Sequence, residues 1–200
     1  MARGWPVTLT EGHIGVRPLV RRDAGTWARL RNENREWLTP WEATLPPGEG
    51  AAPESYVGTI ATMRRRAREG TAMPFAATWD GEMVGQVTVN SITRGSAQFA
   101  SIGYWVARSH AGRRVTPTAV ALVCDHLFGR GGLHRIEISI RPENAASLRV
   151  VQKLRFTEVG LAPRYLHIAG DWRDHRVFQI LKEDVPEGLL ARLHEGRSAD

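Results

Sequence analysis

The stretch that most constrains this chain runs from Gly103 to Arg141, where a β-like segment, a helical segment and a second β-like segment follow one another directly. Val120, Val123, Cys124, Leu127 and Phe128 recur at three- and four-residue spacing, the period of a helix with an apolar face. Gly129, Gly131 and Gly132 end that helix. Ile136, Ile138 and Ile140 then alternate with Arg135, Glu137, Ser139 and Arg141, the period of a strand. A strand–helix–strand unit crosses over right-handed, which makes its two strands parallel. An α/β fold containing one such pair is therefore expected.

The flanking sequence predicts the rest of the order. Ile14 to Leu19 reads as a strand, and Asp23 as the cap of a helix carrying Trp27, Leu30 and Leu38. Glu54 to Glu69 reads as a second helix, with Tyr56, Ile60 and Met63 on one face. Phe75 to Trp79 and Met83 to Ile92 are strands joined by Asp80-Gly81, a tight-turn dipeptide, and Gln98 to Val106 completes the meander. Asn144 caps a helix with Leu148, Val151 and Leu154 inward. Strands at about Thr157–Ile168 and Arg173–Leu181 follow, with a hairpin near Gly170-Asp171, and a closing helix runs from about Pro186 to His194. The most loop-like run, Pro46 to Pro53, is too short for a domain linker. Residues 1–200 are accordingly expected to form a single domain with its core at about 14–184.

Composition narrows the setting. No apolar run approaches the roughly 20 residues of a membrane helix, and the first residues, Met1 to Pro6, lack an apolar signal core. A cytoplasmic protein is expected. The single cysteine, Cys124, excludes an internal disulfide and falls on the apolar side of its helix. The net charge of +6 comes from arginine, with Lys153 and Lys182 the only lysines, a bias of the kind GC-rich codon usage produces. Its densest cluster, Arg64 to Arg66 with Arg68, closes a predicted helix, where cations meet the negative end of the dipole. Nucleic acid is not expected as a direct substrate.

Chemistry concentrates after Tyr104-Trp105-Val106, where a strand empties into Gly112-Arg113-Arg114-Val115-Thr116-Pro117. Thr116 reads as an N-cap, and Pro117 sits where a missing N–H costs nothing. Free amides and the positive dipole end of such a helix bind phosphate, and two arginines add charge-assisted donors. Purely structural strand–turn–helix junctions look the same from this segment alone.

One helix later come Ile138-Ser139-Ile140-Arg141-Pro142-Glu143-Asn144-Ala145-Ala146-Ser147-Leu148 and Val151-Gln152-Lys153-Leu154-Arg155-Phe156. From Gly103 to Phe156 the chain resembles the cofactor core of the GNAT acetyltransferases. The run Arg164-Tyr165-Leu166-His167-Ile168-Ala169-Gly170-Asp171-Trp172-Arg173-Asp174-His175 resembles their RimJ/RimL branch, which acetylates protein N-termini, ribosomal proteins included. Trp37-Leu38-Thr39-Pro40-Trp41-Glu42 is similar to RimJ-type sequences, actinobacterial ones in particular.

The resemblance implies a GNAT fold: a mixed, mostly antiparallel twisted sheet of about six to seven strands with a splayed parallel pair. It implies acetyl-CoA as co-substrate, without a metal. The acetyl group would pass directly, in a ternary complex, to an amine, above all a protein N-terminal α-amine. A small-molecule amine acceptor, and a non-catalytic module that senses CoA or binds the ribosome, are the alternatives. Either a monomer or a homodimer is compatible.

By the same resemblance, the amides of Gly112, Arg113, Arg114, Val115 and Thr116 would seat the diphosphate. Backbone groups of Tyr104, Trp105 and Val106 would line the pantetheine, with Asn144 and Ser147 contributing from the next helix. Ser147 would bring a hydroxyl near the sulfur, or else serve only the free amides of its helix start. Trp37, Trp41, Tyr165 and Trp172 are candidates for the acceptor groove, and core packing is the alternative for the tryptophans. The family's second turn glycine is Arg114 here, its glycine before the phenylalanine is Arg155, and the glutamate before Tyr-Leu is Arg164. A base must then come from Glu42 or Glu137, with Asp174 and His175 as further options, or from bulk water.

Overall fold

The computed structural model describes residues 1–48 and 55–195. Glu54 and residues 49–53 of the loop-like run lie outside the described residues. The elements are β1 (Leu9–Glu11), β2 (Ile14–Pro18), α1 (Ala24–Glu33), α2 (Arg35–Leu38), α3 (Tyr56–Glu69), β3 (Met73–Trp79), β4 (Glu82–Thr93), β5 (Phe99–Val106), α4 (Val115–Phe128), β6 (Arg135–Ile140), α5 (Ala145–Lys153), β7 (Thr157–Ile168), β8 (Asp171–Leu181) and α6 (Leu189–Glu195).

One eight-stranded sheet carries them, in the order β1-β2-β3-β4-β5-β6-β8-β7, with β5 and β6 its parallel pair. The expectation of about six to seven strands misses β1, a three-residue strand that reaches β2 through a turn at Gly12, φ 56°. Three residues are too few for an alternation to register. Asp80 and Gly81, both at positive φ, make the β3–β4 turn. The β7–β8 turn falls at Ala169 and Gly170, one residue before the expected site, because these two take up the positive φ.

The first helix differs from expectation at both ends. Asp23 precedes α1 but makes no side-chain cap to it. Its carboxylate instead accepts the Val20 amide at 2.8 Å and both arms of Arg17 at 2.8 and 2.9 Å, so it closes the preceding turn. The helix expected to run through Leu38 breaks at Asn34, whose side chain turns back to the Leu30 carbonyl at 2.8 Å.

The helices divide between the two faces of the sheet. On one face α4 is buried almost all round, between Ile136, Ile138, Ala100 and Ile102 of the sheet and Leu189 and Leu193 of α6. Full burial of each such aliphatic side chain contributes about 1.5–3 kcal/mol. Cys124 is wholly buried there, and burial pushes its thiol pKa up, so it packs and does not react. On the other face Trp27 of α1, Ile60 of α3 and Ala76, Met83 and Trp105 of the sheet form a second cluster. At its centre the buried Gln86 accepts from the indoles of Trp27 (2.6 Å) and Trp105 (3.3 Å) and donates to Thr88 (2.6 Å). Among the described residues, no helix is long and apolar enough to cross a membrane.

Burial lowers the pKa of His126 and of His175 against the opposing pull of backbone acceptors, Gly4 and Arg173. Between those lowered values and the ordinary value of about 6.5 the unfolded chain binds more protons, so stability rises with pH across that window. The melting temperature is therefore expected to fall on acidification from about pH 7.5 to about pH 5.5. His126→Gln, which can still donate to the Gly4 carbonyl, should flatten the dependence; a slope unchanged in scanning calorimetry would remove His126 from it.

Candidate active site

The parallel ladder of β5 and β6 holds for three residue pairs only, Phe99 with Arg135, Ala100 with Ile136 and Ser101 with Glu137. Both strands continue, to Val106 and Ile140, but apart. On its other side β5 stays paired with β4 as far as Gly85–Val106, and the Ala107 amide donates to the Val84 carbonyl at 2.8 Å. Backbone direction alternates along a strand, so the amides of Tyr104 and Val106 point away from β4 and into the gap. Sheet backbone left without a strand partner is a ready donor for an amide-bearing ligand.

Beyond the gap β5 leads to the start of α4. The N-cap is Arg114, not Thr116, which is the second helical residue. The first intrahelical bond runs from the Thr118 amide to the Arg114 carbonyl at 3.1 Å. Pro117 at the third position has no N–H, so the Val115 and Thr116 amides are the unclaimed donors at the positive end of the dipole. Arg114 has φ 63°, in the left-handed region and not the α-region an arginine would prefer. Its guanidinium is turned away from the helix mouth and donates to the Leu193 carbonyl at 3.0 Å.

A groove runs past this mouth, lined by Trp37, Val106, Gly112, Arg114, Val115, Thr116 and, from α5, by Ala146, Arg149, Val150 and Lys153. Arg149 and Lys153 are one helical turn apart and bring two cations to the rim. Neither was singled out in the sequence, although a basic i, i+4 pair after the Asn-x-x-Ser element was the available signal. His110 also lines the groove, and burial, with Arg113 nearby, lowers its pKa. Arg113 itself lies over the Trp79 ring at 5.8 Å.

Asn144 caps α5 as expected, its Oδ1 accepting the Ser147 amide at 3.0 Å. With the cap supplied by Asn144, the Ser147 hydroxyl has no hydrogen-bond partner among the described residues. The Ser147 carbonyl accepts from the Tyr104 hydroxyl at 3.4 Å, which joins α5 to β5 across the gap. Burial pushes the Tyr104 phenol above its ordinary range, so it remains a neutral donor.

The two candidate carboxylates differ in position. Glu137 lies in the paired part of the ladder and is held by Arg135 on its own strand, at 2.7 Å from the Arg135 Nε. Glu42 is ion-paired with Arg31, whose guanidinium lies 4.9 Å from the Trp27 ring and 5.6 Å from that of Trp105. Trp105 does not reach the gap: its backbone pairs with Gln86 of β4 and its side chain points to this opposite face. Arg141, just past β6, donates to the Pro40 carbonyl at 2.8 Å and lies over Trp41 at 5.5 Å. Beyond Glu42 the segment continues to the β7–β8 hairpin, where the Thr44 amide donates to the His167 carbonyl at 2.8 Å.

The four aromatic candidates do not form one wall. Trp37 belongs to the groove, its indole donating to the Val106 carbonyl at 3.1 Å. Trp41, Tyr165 and Trp172 are exposed on the other side, Tyr165 against His175 and Trp172 against His167. Arg155 and Arg164 both have positive φ. The Arg164 amide donates to Asp174 at 2.8 Å. No cluster of metal-ligating side chains occurs among the described residues.

A splayed parallel pair emptying onto an open helix start is the arrangement of an acyltransferase fold, and the comparisons with known proteins agree with it. Residues 13–157 match the acetyltransferase (GNAT) domain model. The chain belongs to the GNAT family and is an N-acetyltransferase. The structure of Mycobacterium smegmatis RimJ in complex with CoA-disulfide superposes with a TM-score of 0.91 at 38% identity, covering 98% of this chain and 97% of that one. The probable N-acetyltransferase YjcK of Bacillus subtilis is 33% identical over 173 residues, 86% of this chain and 95% of its own length. The ribosomal protein uS5-alanine N-acetyltransferase of Escherichia coli is 27% identical over 184 residues, 91% of this chain and 94% of its own.

Replacing Asn144 with alanine removes the side-chain acceptor of the α5 start. Asn144→Ala is expected to lower stability by about 0.5–2 kcal/mol in urea denaturation. An unchanged midpoint would mean that the cap contributes nothing.

Proposed function

We propose that this enzyme transfers the acetyl group of acetyl-CoA to the α-amine of a protein N-terminus, of the kind ribosomal proteins present. The observation that carries the reading is the end of the β5–β6 ladder at Ser101–Glu137, directly upstream of the unclaimed amides at the start of α4. In this reading Val115 and Thr116 amides bind the diphosphate, with Gly112 and Arg113 completing the turn. Arg149 and Lys153 add charge from the rim. The amides of Tyr104 and Val106 bind along the pantetheine. Acetyl-CoA supplies an activated thioester; the chain's own residues orient it and hold the charge that develops.

The Val106 amide is the oxyanion donor, an interaction typically worth about 2.7–4 kcal/mol of barrier. Ser147, with its hydroxyl uncommitted, is the group that delivers or relays a proton to the departing sulfur. An N-terminal amine has a pKa near 7.7–8.0, so a modest base suffices. Glu42 is preferred over Glu137 on the acceptor side, because Glu137 sits in the paired part of the ladder, below the gap. Glu42, balanced by Arg31, draws in the ammonium and takes its proton, directly or through a water, so that the neutral amine attacks the thioester, and Trp41, Tyr165 and Trp172 line its approach. The exposure of those rings suits an open peptide groove better than a closed small-molecule pocket. Similarity to the Escherichia coli uS5-alanine enzyme supports the same acceptor class.

Acetyl-CoA is expected to raise the melting temperature, since a ligand at 100 times its Kd stabilises the folded state by about 2.7 kcal/mol. Peptides with an N-terminal alanine should gain an acetyl group by mass spectrometry while small amines do not. The reverse outcome would move the acceptor to the small-molecule class, and absence of cofactor binding in calorimetry would overturn the assignment. Ser147→Ala should lower kcat by about 10²-fold or more with the KM for acetyl-CoA little changed. A wild-type kcat would exclude Ser147 from proton transfer.

A further inference from the structure

The helix α6 lies beyond the family-matched residues, and one of its contacts reaches the turn that leads into α4. It packs antiparallel along α4. Near its start the Leu189 and Leu190 amides donate to the Asp125 carboxylate of α4 at 2.6 and 3.0 Å. Near its end the Leu193 carbonyl accepts from Arg114, the N-cap of α4, at 3.0 Å. Leu189 and Leu193 are buried in the core between, and His194 reaches Glu11 of β1 at 3.0 Å. Thus α4 grips α6 at both ends, and one of the two grips is the residue that sets the conformation of the turn.

We propose that α6 is a positioning element for the cofactor turn, and that Arg114 couples coenzyme A binding at the start of α4 to the docking of α6. The inference rests on reading that turn as the diphosphate seat. Arg114 holds φ 63°, a conformation that glycine adopts freely and arginine does not. Relaxation of that φ would swing the amides of Arg114 and Val115 out of line. The tether to Leu193 opposes the relaxation and draws the long side chain out of the helix mouth. The guanidinium is well placed for this, because the last carbonyls of a helix lack intrahelical donors and carry its negative dipole end. Docked α6 therefore favours the turn geometry that binds diphosphate, and by linkage bound diphosphate must favour docked α6 to the same degree.

Hydrogen exchange read by mass spectrometry on the full chain tests this directly. Saturating coenzyme A should slow exchange of the amides of Leu189 to Glu195 in the wild type. Arg114→Gly keeps the φ accessible and removes the tether together with its charge. It should bind coenzyme A about fivefold or more weakly in calorimetry, and at saturation α6 should no longer respond. Asp125→Asn loosens the other end of α6 without touching the turn. It should raise the KM for acetyl-CoA by about fivefold with kcat at saturation little changed.

An α6 that ignores coenzyme A in the wild type, one that stays fully responsive in Arg114→Gly, or an unaltered KM in Asp125→Asn would each overturn the coupling. A wild type that binds no coenzyme A would remove the proposed function and this inference together. Binding without an α6 response would remove only the inference.

Discussion

Two parallel strands that pair for three residues and then part impose a demand that the rest of the molecule answers. Past Ser101 and Glu137 the facing edges of β5 and β6 carry backbone groups with no strand to pair with. Buried unpaired amides are costly, so such a gap persists only where it is bridged from elsewhere or open to a ligand. Here it is bridged at a few points. Trp37 takes the Val106 carbonyl, Tyr104 reaches the Ser147 carbonyl, and Arg141 ties the far strand's exit to Pro40. Those bridges come from α2, α5 and the segment after α2, and they hold the strands at a fixed separation while leaving amides exposed.

The two faces of the sheet then acquire different tasks. On one, α4 and α6 form an apolar layer whose polar contacts lie toward the helix ends, and one of those ends meets the turn after β5. On the other, Gln86 orients two indoles, Arg31 lies over both rings, and the Trp41–Glu42 segment is carried toward the β7–β8 hairpin. A buried amide with every hydrogen-bonding group engaged fixes side-chain orientation more firmly than apolar packing does. In the proposed reading the acceptor side is built on the sheet and the donor side on a helix terminus, with the gap between them as the passage.

The parallel unit was readable because its signals are local. The alternation of Ile136, Ile138 and Ile140 and the periodicity from Val120 to Phe128 depend on neighbours in sequence, and chirality of the crossover does the remainder. The Asn144 cap was readable for the same reason, since its partner is three residues away. The Thr116 cap was misassigned because the rule that favours threonine at a helix start does not anticipate an arginine at positive φ whose side chain is bonded 79 residues away. Asp23 misled likewise: its type suits a helix cap, but Arg17 on the adjacent strand claims the carboxylate. Strand β1 was invisible because it is too short to show a period, and it exists by pairing with β2.

Among the site residues, the order Gly112-to-Thr116, Asn144 and Ser147 could be placed along the chain, and their mutual arrangement could not. Nothing in sequence spacing separates Glu42 from Glu137, yet one lies beside the Trp27–Trp105 cluster and the other in the closed part of the ladder under Arg135. Local propensity and period, which act through neighbours a few residues apart, determined the elements, their order and the parallel crossover. The depth of the gap, the commitment of Arg114 to α6, the freedom of the Ser147 hydroxyl and the separation of Trp37 from the other aromatics were decided only by tertiary packing. Each depends on groups far apart in the chain competing for the same hydrogen bond or the same space, and such competition is resolved only once the sheet has brought them together.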